Sequence, residues 1–470
     1  MRARTMILVL VALVGAKLAL DHFGDADLFW HLRLGLETLE RHELPTVVEC
    51  SWTAGGAPYL ANDWLAQILL ALAFLAGGFP GVAVFKALLI ALVAVLLFLA
   101  AESRSQGNVR ASGLAVGLSL FVAAGHFIAR PLLFGHLCLA AELLLLELVA
   151  RGRTRAALGL PVVFALWINT HGSWPIGFGP LAATLASGFL PLRFGRLAAR
   201  ALPPGARSML CLGACLSIAA LFVNPIGPAL VERPFALVGG NAPLDAVQEW
   251  APVPWTDPSA WILVGLALAL FLTSWRSRKP LPLFELGFAA VLLLAALRAA
   301  RLHSALALVA APLLAEQLAG IVSPRGLREE RLNLAVAAVA VLLLGGVGAL
   351  RLAGTAAEIR TIAPIAAVDL LRARGLEKEP GFHYFDWGGY LVFRDVPTYV
   401  DGRLEPFLGS SNIFARYLEI ERKGDVTRLE GEGVRWVLAR PGTPIATGVA
   451  QRPGWTRLFN DAGSELWLRE

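Results

Sequence analysis

Asp25, Asp27, Trp30 and His31 fall within one stretch of seven residues, directly after the first apolar run of the chain, residues 5–20. Carboxylates act as general bases or hold cations, and an imidazole changes charge near neutral pH. Asp27, Trp30 and His31 are three and four residues apart, so a helix through them presents all three on one face. Such a helix is predicted by Leu28, Leu32, Leu36 and Leu39, whose spacing marks an amphipathic segment lying along a membrane face. An aspartate at its start also satisfies free backbone N–H groups and meets the positive end of the helix dipole. One cap is sufficient, which leaves one of the two carboxylates for chemistry. The sequence does not choose between them.

The elements around this stretch belong to a membrane. The 470 residues are 57% apolar and only 16% charged, with a mean hydropathy of +0.64, whereas a soluble domain carries about 25% charge. The net charge of +6 does not indicate nucleic acid, because the basic residues cluster in short breaks between apolar runs, where they fix topology. Of the four cysteines, Cys138, Cys211 and Cys215 fall inside apolar runs and Cys50 does not. This excludes a disulfide framework or a zinc site as the organising feature. No small-residue cleavage pattern precedes Asp21, so the first run is expected to be a retained span.

Basic breaks at Arg2/Arg4, 104–110, Arg151/Arg153/Arg155, 193–207, Arg276/Arg278/Lys279 and 325–331 are expected in the cytoplasm. Successive cytoplasmic breaks enclose an even number of crossings. Residues 64–76 are too few to span and are read as an interfacial or re-entrant helix, so the first external loop runs over about 21–81. Paired spans follow at 111–129 and 135–150, 156–170 and 174–192, 208–223 and 259–275, and 281–300 and 302–320. A last one at 332–352 makes roughly eleven. The expected fold is an α-helical polytopic membrane domain, 1–353, followed by a small α/β domain, 354–470, outside the membrane. In that tail, residues 390–393 and 435–438 alternate like strands. A second external segment, 224–257, contains Glu249-Trp250.

Polar residues gather at the outward ends of the apolar runs: Arg130-Pro131 with His136, Asn169 and His171 before Gly172, Asn224-Pro225, and Arg298, Arg301 and His303. Outward-facing arginines run against the topology rule and call for an anion, of which a lipid phosphate is the natural one. The structural alternatives are pairing with acidic loop residues for the arginines and a tight turn at Gly172 for Asn169 and His171. Asp63 reads as a helix start, and Trp52 and Trp64 as interfacial anchors. In the tail, Asp386, Trp387 and Tyr390 flank a Gly-Gly pair, and Asp401 and Arg403 flank Gly402. These are ordinary hairpin sequences, or else contacts to an acceptor or a headgroup.

There is no Walker loop, dinucleotide fingerprint, His-Glu-x-x-His or Gly-x-Ser-x-Gly. The main acids within spans, Glu142 and Glu147, lie on one helix, which argues against a coupled transporter. Taken in order, Asp-x-Asp-x-x-Trp-His, Asn-Asp-Trp-Leu, Arg-Pro, Trp-x-Asn-x-His-Gly, Asn-Pro, Glu-Trp and Arg-x-x-Arg-x-His resemble bacterial polytopic proteins of the GT-C glycosyltransferase type. The tail motifs, Asp-Trp-Gly-Gly-Tyr-Leu at 386–391 and Asp-Gly-Arg at 401–403, extend the resemblance over nearly the whole chain.

The resemblance implies an inverting glycosyltransferase of the bacterial cytoplasmic membrane, with a cytoplasmic N-terminus and a sugar on a polyprenyl phosphate as donor. It places Asp25, Asp27 and His31 in the catalytic role. Arg130, Asn169, His171, Arg298, Arg301 and His303 are expected to bind the phosphate or substrate, and Asp386, Trp387, Tyr390, Asp401 and Arg403 to meet the acceptor. One of the two loop acids deprotonates the acceptor, and the other orients it or holds a divalent cation. The expected partners are the lipid-linked sugar and membrane lipids, with no nucleic acid. A non-catalytic membrane component that binds lipid-linked glycan or protein partners is the alternative.

Overall fold

The computed structural model describes residues 1–22, 25–239, 251–324, 330–408 and 412–470. Gly24, the Glu249-Trp250 pair and the basic residues from Arg325 to Arg328 lie outside the described residues. The chain divides into two compact units, Met1–His22 with Ala83–Ala353, and Phe23–Val82 with Gly354–Glu470.

The first unit is a bundle of apolar helices. Among the described residues of the whole chain, six helices are long and apolar enough to cross a membrane: Ala3–Leu20, Trp64–Arg104, Val109–His126, Leu132–Ala150, Pro258–Arg276 and Glu330–Ile362. Helices of 11 to 16 residues, Leu160–Thr170, Phe178–Phe189, Ala206–Ala220, Leu283–Arg298 and His303–Leu318, occupy the other expected span positions. His303–Leu318 is buried along nearly its whole length, which makes it the centre of the bundle. Small residues set the close approaches, as at Gly15, where a Cβ would lie 3.1 Å from that of Ala94 and 3.2 Å from the carbonyl of Ile90.

Charges buried at the basic ends of these helices are paired. The Arg104 side chain is 3% exposed and donates to Glu147 and to Glu316, each at 2.8 Å, with Glu285 at 3.6 Å. Both terminal nitrogens of Arg200 reach Glu147 at 2.7 Å. Glu147 is thus neutralised by two guanidinium forks in a low-dielectric setting, where an unpaired carboxylate would be costly.

The long helix Trp64–Arg104 is broken at Gly77 and Gly78, and Gly78 has φ 60°. The break separates the short segment 64–76, predicted from its length, from the longer apolar run after it.

The second unit is α/β. Its strands are β1 (Gly381–His383), β2 (Trp436–Ala439), β3 (Trp455–Asn460) and β4 (Glu465–Arg469), in the order β1-β2-β4-β3. β1 and β2 are parallel and the other pairings antiparallel. Phe382, Tyr399, Tyr417 and Val437 lie in its core. Residues of the first loop take part: Trp52 Nε1 donates to Gly381 O at 2.9 Å and its ring meets that of Tyr399 edge-on. Trp52 therefore packs, half-buried, against the core of this unit, and the reading of it as a membrane anchor is corrected. A second correction concerns residues 390–393, which belong to the helix Gly388–Phe393. Four alternating residues carry too little periodicity to separate the two periods, and here consecutive residues 388–392 are all buried.

Candidate active site

Within the second unit, the helix Asp27–Arg41 carries the acid stretch. Asp25 precedes it, is 7% exposed, and its Oδ1 accepts the Asp27 N–H at 2.7 Å while its carbonyl accepts the Leu28 N–H at 3.2 Å. Asp25 is the residue that caps the first turn. Asp27 is half-buried at the first helical position. His31 is buried, its ring centroid is 3.6 Å from that of Trp30, and its Nδ1 lies 3.2 Å from Gln67 Nε2. An amide donor at Nδ1 sets the neutral tautomer with the proton on Nε2.

The tail motifs converge on the same helix. A Cβ on Gly389 would collide with the carbonyl of Ala26, and one on Gly402 would collide with Asp27 Oδ1 and lie 2.8 Å from Trp30 Nε1. Gly388 is equally confined, with Val400 O at 2.6 Å from its Cβ position. None of the three has a positive φ. The hairpin reading of these glycines is therefore corrected: they are glycines because there is no room for a side chain.

Asp401 and Arg403 form a pair inside the fold, 0% and 6% exposed, with Arg403 Nη2 to Asp401 Oδ2 at 2.6 Å and Nε to Oδ1 at 2.8 Å. Burial alone would push the Asp401 carboxyl up, but the Arg403 charge and hydrogen bonds hold it below the usual carboxylate range. Both side chains are engaged internally, so the expectation that they meet an acceptor is replaced by a structural role. Trp387 and Tyr390 are also buried, and the Tyr390 hydroxyl accepts from Arg394 at 2.7 Å. Asp386 alone of this group is exposed, 3.9 Å from Arg440.

Within the first unit, a separate cationic group forms around His171. Arg301, His136 and Arg130 lie within its electrostatic reach, and its Nδ1 is 2.7 Å from Ser173 Oγ. The rings of His126 and His303 are 6.0 Å apart, and each is held at Nε2 by a backbone carbonyl, Ala300 at 3.0 Å and Ala296 at 3.1 Å. His136 is 2% exposed and neither ring nitrogen has a hydrogen-bond partner among the described residues. Asn169 donates to the carbonyls of Ala165 at 2.7 Å and Val223 at 2.8 Å, which makes it a strut between segments. Arg298 is exposed at the end of its helix.

Two residues of this kind were outside the expected set. His126 lies four residues before Arg130, and Lys86 is fully buried, its Nζ 2.5 Å from the carbonyl of His22. The signal for Lys86 is present in the sequence as the single charge in the apolar run 81–101. Among the described residues no three of His, Cys, Asp and Glu stand together as metal ligands.

No protein-family profile and no curated protein matches the sequence. Solved structures do. The oligosaccharyltransferase of Archaeoglobus fulgidus tethered with an acceptor peptide superposes with a TM-score of 0.56 at 12% identity, over 99% of this chain and 74% of that one. The same organism's enzyme AglB in complex with an inhibitory peptide and a dolichol-phosphate gives 0.53 at 11% identity, over 93% and 69%. ArnT from Cupriavidus metallidurans bound to undecaprenyl phosphate gives 0.52 at 12% identity, over 98% and 97%. The chain has the GT-C-type fold, an α-helical polytopic membrane domain with a small C-terminal α/β region.

Proposed function

We propose that this chain is a membrane glycosyltransferase that takes a sugar from a polyprenyl-phosphate carrier at the outer face of the membrane, with inversion at the anomeric carbon. The observation that carries the reading is the placement of the two loop acids: Asp25 caps the first turn of the helix, and Asp27 stands half-buried on that turn beside the buried Trp30 and His31 of the same helix. The fold shared with structures that hold dolichol-phosphate and undecaprenyl phosphate supports the lipid carrier.

In the proposed reaction Asp27 takes the proton of an acceptor hydroxyl, and the oxygen attacks the anomeric carbon. The bond from that carbon to the phosphate oxygen breaks, and the polyprenyl phosphate leaves with the electron pair. A phosphate leaving group needs no general acid to depart.

The test is glycan transfer by Asp25→Asn and Asp27→Asn, assayed in membranes that overproduce each variant. Asp27→Asn is expected to lose about a hundredfold or more in rate with unchanged protein level. Asp25→Asn, whose amide oxygen still caps, is expected to stay within a few fold. Unchanged glycosylation with both variants would remove the loop acids as the base and leave the non-catalytic lipid-glycan binder as the surviving reading.

A further inference from the structure

We propose that Gly402 of the C-terminal region is a positioning residue for Asp27, so that the Asp-Gly-Arg turn serves as the seat of the first-loop carboxylate. This rests on Asp27 being the base.

The turn is rigid. Asp401 Oδ1 accepts the Arg403 N–H at 3.1 Å and Nε at 2.8 Å, while Oδ2 accepts Nη2 at 2.6 Å and Thr398 Oγ1 at 2.9 Å. Arg403 Nη2 also reaches the carbonyl of Cys50 at 3.2 Å, which ties the turn to the first loop. Every strong group in the turn is thus satisfied inside the fold, and Gly402 is held where it stands.

The carboxylate has little freedom either. The Asp27 backbone is fixed by the Asp25 cap at 2.7 Å, and Leu28, Phe29 and Trp30 after it are all buried. Between these fixed backbones the parts that can adjust are the side chains of Asp27 and Trp30, of which the Asp27 carboxylate is the nearer. A methyl at 402 would collide with its Oδ1 and lie 2.8 Å from its Cγ, closer than real Cβ contacts come. Gly402 has an ordinary negative φ, so alanine has no conformational objection there. The substitution would therefore act by displacing the Asp27 carboxylate first and pressing on the Trp30 ring beside it. Trp30 Nε1, buried and without a hydrogen-bond partner among the described residues, closes on the same point, also 2.8 Å from the Cβ position.

A misplacement of about 1 Å at a reacting group costs on the order of a hundredfold in rate. Gly402→Ala in the full-length protein is expected to lower kcat by about that factor, while KM for the lipid-linked donor stays within twofold. The double variant Gly402→Ala with Asp27→Asn is expected to be no slower than Asp27→Asn alone, because the two act through one group. A purely structural role would instead lower the melting temperature and move KM together with kcat. If Gly402→Ala does not fold, adding Asp27→Ala must raise the melting temperature toward that of the wild type, since it removes the closest colliding atoms. Failure to raise it would place the collision elsewhere and overturn the proposal. A slow Asp27→Asn with a Gly402→Ala of wild-type kcat also overturns it. An Asp27→Asn of wild-type rate would instead overturn the underlying reading of the base.

Discussion

His383, on the parallel edge strand β1, has a protonation state fixed by its two neighbours. Nδ1–H donates to the carbonyl of Tyr384 at 3.0 Å, and Nε2 accepts the Tyr399 N–H at 3.1 Å. A second proton would have to displace the Tyr399 N–H, and burial pushes the imidazole down to about 4. An unfolded histidine titrates near 6.5, so between these values the unfolded chain binds a proton that the folded chain does not. The stability is therefore complete above about pH 6.5, and declines as pH falls toward 4 by on the order of 3 kcal/mol. The melting temperature followed by tryptophan fluorescence should drop over that window. In His383→Gln, which keeps an acceptor and a donor, the curve should be flatter there and lower at pH 7. An unchanged slope in the variant would remove His383 as the cause. That one of Asp25 and Asp27 caps the helix was readable from their types and spacing. Which one caps was not, because that depends on a single turn of backbone before the helix. The reason for glycine at 389 and 402 was hidden for a different cause: sequence shows a flexible residue, whereas only three-dimensional packing shows a missing volume.

Arg104 ties the ends of several helices through carboxylates on three of them. Removing it leaves Glu147 with Arg200, but strands Glu316 and Glu285 in a region where the Arg104 side chain itself is 3% exposed. Breaking a buried pair from one side costs about 3–5 kcal/mol. Arg104→Ala should therefore lower the melting temperature of the detergent-solubilised protein by several degrees. Arg104→Lys should recover only part of it, since one ammonium cannot fork to Glu147 and Glu316 together. Equal stability of all three proteins would show that the cluster is not a fastener. At this scale hydropathy located the apolar helices well, because length and composition alone define them. It failed at residues 390–393, where a buried helix and a strand have the same short pattern. Basic breaks were read as topology signals, and the pairing of Arg104 and Arg200 with acids on the helices could not be read from spacing, since partners 43 and 53 residues away meet.

The proposed chemistry depends on which side of the membrane the C-terminal α/β region faces, and parity decides this. An odd number of crossings, with the basic breaks in the cytoplasm, puts residues 354–470 outside together with the first loop, whose residues belong to the same compact unit. Membership in one unit is a strong condition: residues 23–82 and the tail must emerge on one side, whatever the count of spans between them. Two cysteines introduced singly, after replacement of the native four, test this. Lys423 lies in the tail with a side chain 56% exposed, and Arg155 is an exposed residue in one of the basic breaks. A membrane-impermeant maleimide should label Lys423→Cys in intact spheroplasts, and Arg155→Cys only after permeabilisation. Labelling of Lys423→Cys that also requires permeabilisation would make the number of crossings even. The first loop, which belongs to the same compact unit as the tail, would then lie in the cytoplasm with it, and the reading of a reaction at the outer face would fall.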